Sequence, residues 1–367
     1  MPTQPPLPPL LTPYVSSLPQ SSLTLLSSVL GATGNWLVLR YLYAALSASS
    51  ANTTFGADGV DNGKKRKVVL VSFLRSWEFW RSEAKRLGLD LARLADKGQF
   101  AFVDGLSELF YTPQAQTAAP VAPSAPAPFA PAPFAPAGRT IPPRTALPVR
   151  GPPGATAPAP TPAAPPGGGL NRAATEAGPG PGPAKRLHLT GHGTAALDAL
   201  EKDISDVVSQ LKTTVGGDDG EEAEVLLIVD QPDLLLAATG PSKGIGATEM
   251  GEWVMGLQQH SHATIVAVSA DSPLIHNASE FAHHPATPLE KEHAAFAVGL
   301  AHRAQMVVQL RNLETGAARD VSGVLRASKG GAWSDDGSTD AETKWEEKEV
   351  LYFIQRDGSV NVFGRGE

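Results

Sequence analysis

The sequence predicts an α/β domain built on a mostly parallel sheet that ends in a C-terminal antiparallel hairpin. Three observations predict it. Short, unbroken apolar runs alternate with stretches of helical period, the rhythm of strands joined by crossover helices. Proline is segregated, with 28 of the 33 in residues 1–20 and 111–184, so that five are left for the other 273 residues. Two apolar segments, 350–355 and 359–363, flank Arg356-Asp357-Gly358, the spacing of a tight hairpin. A stretch of 273 residues is the size of one large α/β domain and ample for a hydrophobic core.

The elements follow in order. Residues 1–20, with seven Pro and no charged side chain, read as a disordered N-terminal segment. Residues 21–30 read as a buried strand, 31–34 as a turn, and 36–46 as the start of a helix. Residues 23–46 are apolar enough to raise a membrane span. Gly31, Gly34, Asn35 and Arg40 interrupt them, however, and a charge within a lipid-spanning helix is costly. A strand followed by a helix explains the same letters, so no membrane contact is expected. The N-terminus also lacks the positive start of a signal peptide, and a soluble intracellular protein is the expectation. Residues 47–63, rich in Ser, Asn, Gly and Asp, read as a loop, and the basic run 64–67 as a solubilising flank to the next strand.

Residues 68–73 form a short apolar run, the mark of a strand buried on both faces. Ser76 caps a helix reaching Leu87, and residues 100–103 are the next strand, ending in Asp104-Gly105. The pattern then breaks. Residues 111–184 contain the unit ProAlaProPheAla twice, at 126–130 and 131–135, and such sequence favours polyproline II over a packed core. This segment reads as a disordered insertion dividing the domain into 21–110 and 185–367. An alternative makes it a ligand for aromatic-groove modules, and the chain a Pro-rich adaptor.

Beyond the insertion, residues 194–212 place Leu197, Leu200, Ile204, Val207, Val208 and Leu211 on one helical stripe. Residues 225–229 are an apolar strand ending in Asp230, 248–259 a helix, 264–269 a strand and 305–310 another. Thr287-Pro288-Leu289-Glu290 is a helix start with a capping box and Pro at its first position.

Composition excludes several chemistries. With no Cys there are no disulfides, cysteine nucleophiles or cysteine-ligated metal centres. Net charge is −7, and the two Pro-rich segments together are basic, so the remaining 273 residues carry −10. A folded part this acidic is no free-standing nucleic-acid binder working through bulk charge, although it can add a basic loop to a larger surface. There is no HExxH spacing for a metalloprotease. His276, His283, His284 and His293 fall in or beside one loop, which reads as solvated.

The most telling position is the turn after the first strand. A phosphate-binding loop needs glycines there, then Lys to meet the outer phosphates and Ser or Thr to bind magnesium. Gly34-Asn35-Trp36 stands where Gly-Lys-Thr would stand, and Val29 where the first glycine would fall. Asn lacks the charge and Trp cannot ligate magnesium, so this is a degenerate nucleotide-binding loop, without cofactor or catalytic residue. The rival is an active NTPase with an unorthodox loop. Asp230 at a strand end resembles a magnesium-supporting acid, but capping of the following turn, beside Pro232, is the reading that stands. Trp77, Phe79, Trp80 and Arg81 form an aromatic and basic cluster at a helix start. Trp77 and Trp80 share a helix face, which suits either core packing or a subunit contact. Arg319, Arg326 and Lys329 flank the late strands, with Arg326 beginning a loop that suits an RNA phosphate backbone.

Residues 68–90, with ValSerPheLeuArgSerTrpGluPheTrp, resemble the family of the sixth subunit of the eukaryotic Elongator complex, and residues 102–110 and 226–237 continue the likeness. It covers about 21–110 and 185–367. The resemblance implies a RecA-like fold without an intact nucleotide site. It also implies assembly with the fourth and fifth subunits into a heterohexameric ring that binds tRNA, joins the remaining Elongator subunits and supports wobble-uridine modification. The catalytic chemistry then belongs to another subunit, and the location is cytoplasmic, with the nucleus as a second site. The long insertion departs from a compact family domain.

Overall fold

The computed structural model describes residues 7–16, 18–51, 66–111, 182–213, 223–239, 243–276, 285–314, 316, 318–334 and 345–364. The chain divides into one compact unit, Met1–Thr112 with Pro179–Glu367, and a second, Pro113–Gly178, which lies outside the described residues. The ProAlaProPheAla repeats, residues 52–63 of the predicted loop and His283-His284 lie outside the described residues, whereas residues 47–51, expected to open that loop, continue the helix that begins at Asn35.

The element order is a 3-10 turn (Pro9–Leu11), α1 (Thr12–Val15), β1 (Ser22–Ser28), α2 (Asn35–Ala51), β2 (Arg66–Ser72), α3 (Trp77–Arg86), α4 (Leu91–Asp96) and β3 (Phe100–Asp104). It continues with β4 (Lys185–Arg186), α5 (Gly193–Thr213), β5 (Glu224–Asp230), α6 (Leu234–Thr239), α7 (Ala247–Gln259) and β6 (Ala263–Ser269). The last elements are α8 (Ser272–Ile275), α9 (Pro288–Arg303), β7 (Met306–Arg311), β8 (Gly323–Lys329), β9 (Lys348–Ile354) and β10 (Val360–Gly364). All ten strands form one sheet in the order β10-β9-β8-β7-β1-β6-β5-β2-β3-β4. Pairings from β7 through β4 are parallel, and those joining β7, β8, β9 and β10 are antiparallel. The α/β class, the mostly parallel sheet and the closing hairpin are therefore as the sequence predicts. Among the described residues no helix is long and apolar enough to cross a membrane.

Successive strand residues point to opposite faces, so each strand feeds two cores. Val68 and Leu70 join one with α1 to α4, while Val69 and Val71 join the other with α5, α6, α7 and α9. This is why the strands read as unbroken apolar runs. The stripe predicted on α5 is buried along its whole length. Ser76 caps α3 by accepting from the Phe79 amide, and Thr287 and Glu290 form the predicted capping box of α9.

Three expectations change here. First, residues 7–16 are not a disordered tail. Leu11 and Val15 are buried in the core with α2, and Tyr14 donates its hydroxyl to the Glu346 carbonyl at 2.8 Å. Three apolar side chains outweigh the Pro content, and Pro at a first helical position is compatible with a short helical turn. Second, the basic run is only partly a solvated flank. Arg66 and Lys67 open β2, and Lys67 is buried with its Nζ donating to the Leu211 carbonyl at 2.7 Å, closing the end of α5. Third, Arg326 lies within β8 rather than in a loop, because ValLeuArgAla is paired on both sides, with β7 and β9. The chain leaves β8 through Gly330, where a Cβ would run into the Ala304 carbonyl, so only glycine fits this approach. Arg40, within the apolar run, is 1% exposed and donates to the Gly358 carbonyl at 3.1 Å, tying α2 to the hairpin turn. Burial pushes its guanidinium down to about 10.

Because the N-terminal turn is part of the core, Leu11→Ala lowers unfolding stability by about 3 kcal/mol, the usual cost of emptying a buried leucine site. Urea denaturation of the two proteins checks this, and an unchanged midpoint contradicts the placement.

Candidate functional site at the carboxyl ends of the strands

In an open parallel sheet, ligands meet the carboxyl ends of the strands, at the point where neighbouring strands send their connections to opposite sides. Here that point is between β1 and β6. From β1 the chain crosses through α2 to β2, beyond β6 and β5, whereas from β6 it crosses through α9 to β7 on the other side of β1. The helices lie on opposite faces of the sheet. The loop singled out in the sequence, residues 29–36, thus occupies the switch point.

That loop is closed on itself. The Ala32 amide donates to the Val29 carbonyl at 2.9 Å, and Gly31 has φ +92°, the conformation that the third position of a type II turn requires. The Leu30 amide donates to Asp271 Oδ1 at 2.8 Å. One amide is therefore turned inward, and another is held by a carboxylate whose charge opposes a phosphate. Asn35 accepts from the Thr33 hydroxyl at 2.7 Å. Trp36 is buried, its ring 4.7 Å from that of Tyr352, so the residue in the magnesium-ligand position is a core residue tying α2 to β9.

Asp230, at the end of β5, is also committed. It is 1% exposed. Ser72 donates its hydroxyl to Oδ2 at 2.8 Å, and Arg75 Nη1 lies 2.8 Å from Oδ1 and 3.0 Å from Oδ2. The guanidinium also lies over the rings of Phe79 and Trp80, at 5.6 and 5.8 Å. Burial pushes the Asp230 carboxyl up, and Arg75 and Ser72 pull against that. Asp230 is thus neither a turn cap nor an open metal ligand; both oxygens are bonded and an arginine supplies the cation. The capping role belongs to Asp104, whose Oδ1 accepts from the Leu106 and Ser107 amides, each at 2.9 Å.

Beside Asp230, Gln231 takes φ +58°, unusual for a side chain other than glycine, and is pinned by the Ser269 hydroxyl at 2.8 Å. Asp233 Oδ2 accepts from the Ser269 amide and lies 3.2 Å from His293 Nε2, both residues buried. His293 is therefore an interior residue of α9 rather than part of a solvated loop.

The predicted interface cluster separates. Trp77 and Trp80 are buried, Trp77 stacking on Phe100 at 6.2 Å. Phe79 is half-buried and Arg81 exposed, and these two are left at the surface. The candidate RNA cations also separate. Arg319 lies in the β7–β8 connection at the carboxyl end, whereas Lys329 lies at the opposite end of β8, over the Trp333 ring at 4.7 Å. The seven-residue strand β8, which ends in Lys329, spans roughly 20 Å. Arg326 is exposed midway.

The sequence reading missed a set of exposed apolar side chains at the carboxyl ends of the strands. Leu30 after β1, Leu74 after β2, and Leu106, Phe110 and Tyr111 after β3 are all exposed, Leu30 at 82%. No periodicity marks loop residues of this kind; only the topology gathers them at one edge. Arg75 and Asp271 were missed for the same reason, since their partners are 155 and 241 residues away. Neither a protein-family profile nor a curated protein matches this chain.

Arg75→Ala leaves the Asp230 carboxylate buried without its cation and lowers stability by about 3–5 kcal/mol near neutral pH. A carboxyl raised in the folded state binds more protons folded than unfolded, so its contribution falls as pH rises from the ordinary aspartate value through the raised one. The deficit of the variant is accordingly smallest in acid. Denaturation series at several pH values check this; a deficit that grows on acidification contradicts it.

Proposed function

We propose that this chain is a non-catalytic ring subunit with a RecA-like fold whose nucleotide site has been given up, assembling with the fourth and fifth subunits of Elongator into a heterohexameric ring. The ring binds tRNA and serves wobble-uridine modification with the remaining subunits, in the cytoplasm and with the nucleus as a second location. One observation carries the reading. The edge at which an α/β sheet ordinarily receives a small ligand here exposes Leu30, Leu74, Leu106, Phe110 and Tyr111 around a closed loop and a neutralised aspartate. Exposed apolar side chains that share one rim of the sheet support a protein contact, with Phe79 and Arg81 on α3 as further candidates. The resemblance at residues 68–90 supplies the identity of the neighbours.

The same observations bear against the enzyme reading. A triphosphate would have to displace Asp271 from the Leu30 amide, find a cation where Asn35 stands, and bind magnesium without a hydroxyl at Trp36. Binding of tRNA is assigned to the assembled ring, with Arg319 and Arg326 adding phosphate contacts to those of the neighbours. The acidic balance of this chain does not hold RNA unaided.

Mixed with the fourth and fifth subunits, the chain co-elutes at equimolar ratio in size-exclusion chromatography with light scattering. Leu30→Asp combined with Phe110→Asp weakens that assembly by about tenfold or more, as charge placed in an apolar contact does, while leaving the circular dichroism and melting of the chain itself unchanged. A chain that elutes alone in the presence of both subunits overturns the proposal.

A further inference from the structure

The helix layer of α5, α6, α7 and α9 encloses a cavity that the rim loops do not touch. α6 is six residues long, and the chain approaches α7 through Gly244, Ile245 and Gly246, with Gly244 at φ +64°. Between α6, this approach and the first turn of α9 lies a cavity of about 330 Å³, within the size range of small-molecule pockets. Its apolar wall includes Leu236 and Ile245, both buried, and Pro288 and Leu289, both exposed, so it opens to solvent beside the start of α9. Its acidic wall is Glu249, half-buried, and Glu292, exposed. Glu249 Oε2 accepts from the Gly246 amide at 3.0 Å, and Glu292 Oε2 accepts from the Ala247 amide at 2.7 Å. The two oxygens converge on one point, since a Cβ built on Gly246 would lie 2.8 Å from Glu292 Oε2 and 3.1 Å from Glu249 Oε2. Oε1 of each carboxylate has no bond among the described residues. The amino end of α7 offers roughly half a positive charge, so the pair keeps most of its negative charge. Among the described residues no Lys, Arg or His lines the cavity, and Lys243 beside it lies with Nζ 3.5 Å from the Gly191 carbonyl.

We propose that this cavity is a binding site for a small organic cation, an ammonium or guanidinium head on a short apolar body. The head meets the free oxygens of Glu249 and Glu292, a pair that the N–H fork of a guanidinium suits best. The body covers Leu236, Ile245 and Leu289. The two walls together exclude other classes of ligand. An anion, a nucleotide included, meets two carboxylates and no cation. A neutral apolar molecule takes carboxylate oxygens out of water without giving them a partner. A magnesium or calcium ion takes six or more oxygen ligands, whereas here two carboxylates each have one oxygen already bonded to an amide, and the apolar wall would stay uncovered. The inference uses neither the 29–36 loop nor the ring assignment.

The test is a titration of the full chain, labelled at Ile and Leu methyl groups, followed by nuclear magnetic resonance. The probe is butylguanidine, with pentanol and pentanoate as uncharged and anionic bodies of similar length. Butylguanidine is expected to give saturable shifts at the Leu236, Ile245 and Leu289 methyls. Glu249→Gln combined with Glu292→Gln is expected to weaken binding by about tenfold or more, with the rest of the spectrum unchanged, because each glutamine keeps an oxygen for its α7 amide. Leu289→Lys, at an exposed position, puts a cation at the mouth and is expected to weaken binding as much, which keeps the test open should the double variant not fold. A short peptide with one arginine separates the sources of the cation. Tighter binding than butylguanidine makes it a protein side chain, and weaker binding makes it a free small molecule; both support the site. Absence of saturable shifts at these methyls overturns the proposal. So does binding of pentanol or pentanoate as tight as that of butylguanidine, binding that the glutamine pair leaves unchanged, or displacement of the probe by an equal concentration of magnesium chloride.

Discussion

A parallel sheet covered on both faces has no place for a charge except at the ends of its strands, and this constraint organises the whole molecule. From β1 across to β3 the strand interiors are Val, Leu, Ile, Ala and Phe with a few small hydroxyls. Charged side chains gather at the two rims, Lys67 at the amino end of β2 and Asp104 and Asp230 at the carboxyl ends of β3 and β5. Each rim charge must then be answered. Lys67 is answered by the Leu211 carbonyl near the end of α5, Asp104 by turn amides, and Asp230 by Arg75 and Ser72. Each of these three groups is bonded by the chain itself.

The Asp230–Arg75 pair couples distant parts of the fold. Arg75 follows β2, Asp230 ends β5, and the guanidinium reaches over the rings of Phe79 and Trp80 at the start of α3. Trp80 in turn is fully buried in the core shared with α2. A buried ion pair of this kind adds little net stability over an apolar pair, yet it is destabilising to break. It holds the α3 start at the rim, and with it the half-buried Phe79 and exposed Arg81 that border the apolar edge. The pair thus ties β2, β5 and the start of α3 together at the rim.

Much of this was legible in the sequence, for physical reasons that also explain what was not. Buried parallel strands leave apolar runs, so β1, β2, β3, β5, β6 and β7 could be read directly. So could α5, whose stripe has a clear period, and α9, whose capping box is local. β8 was not, because Arg326 and Ser328 alternate with Leu325 and Ala327 in a strand left open on one face, and the basic residues were more conspicuous than the alternation. The N-terminal turn was hidden by its prolines, which signal disorder until Leu11 and Val15 find a core. That Trp77 and Trp80 share a face follows from spacing alone; that this face is buried against Phe100 and Phe102 needs the fold. The closed state of the 29–36 loop was legible only in part. Asn35 and Trp36 announce the missing side chains, but Asp271 on the Leu30 amide is a contact across 241 residues.

The central claim is that the switch point of this sheet has become a closed protein surface that does not hold a triphosphate. Titration calorimetry of the full chain with magnesium-ATP tests it most directly. The account predicts no saturable heat, and the same result for Asn35→Lys, since Asp271 and Trp36 still close the loop. Saturable binding of magnesium-ATP to the unmodified chain, lost when the 29–36 loop is altered, would contradict it.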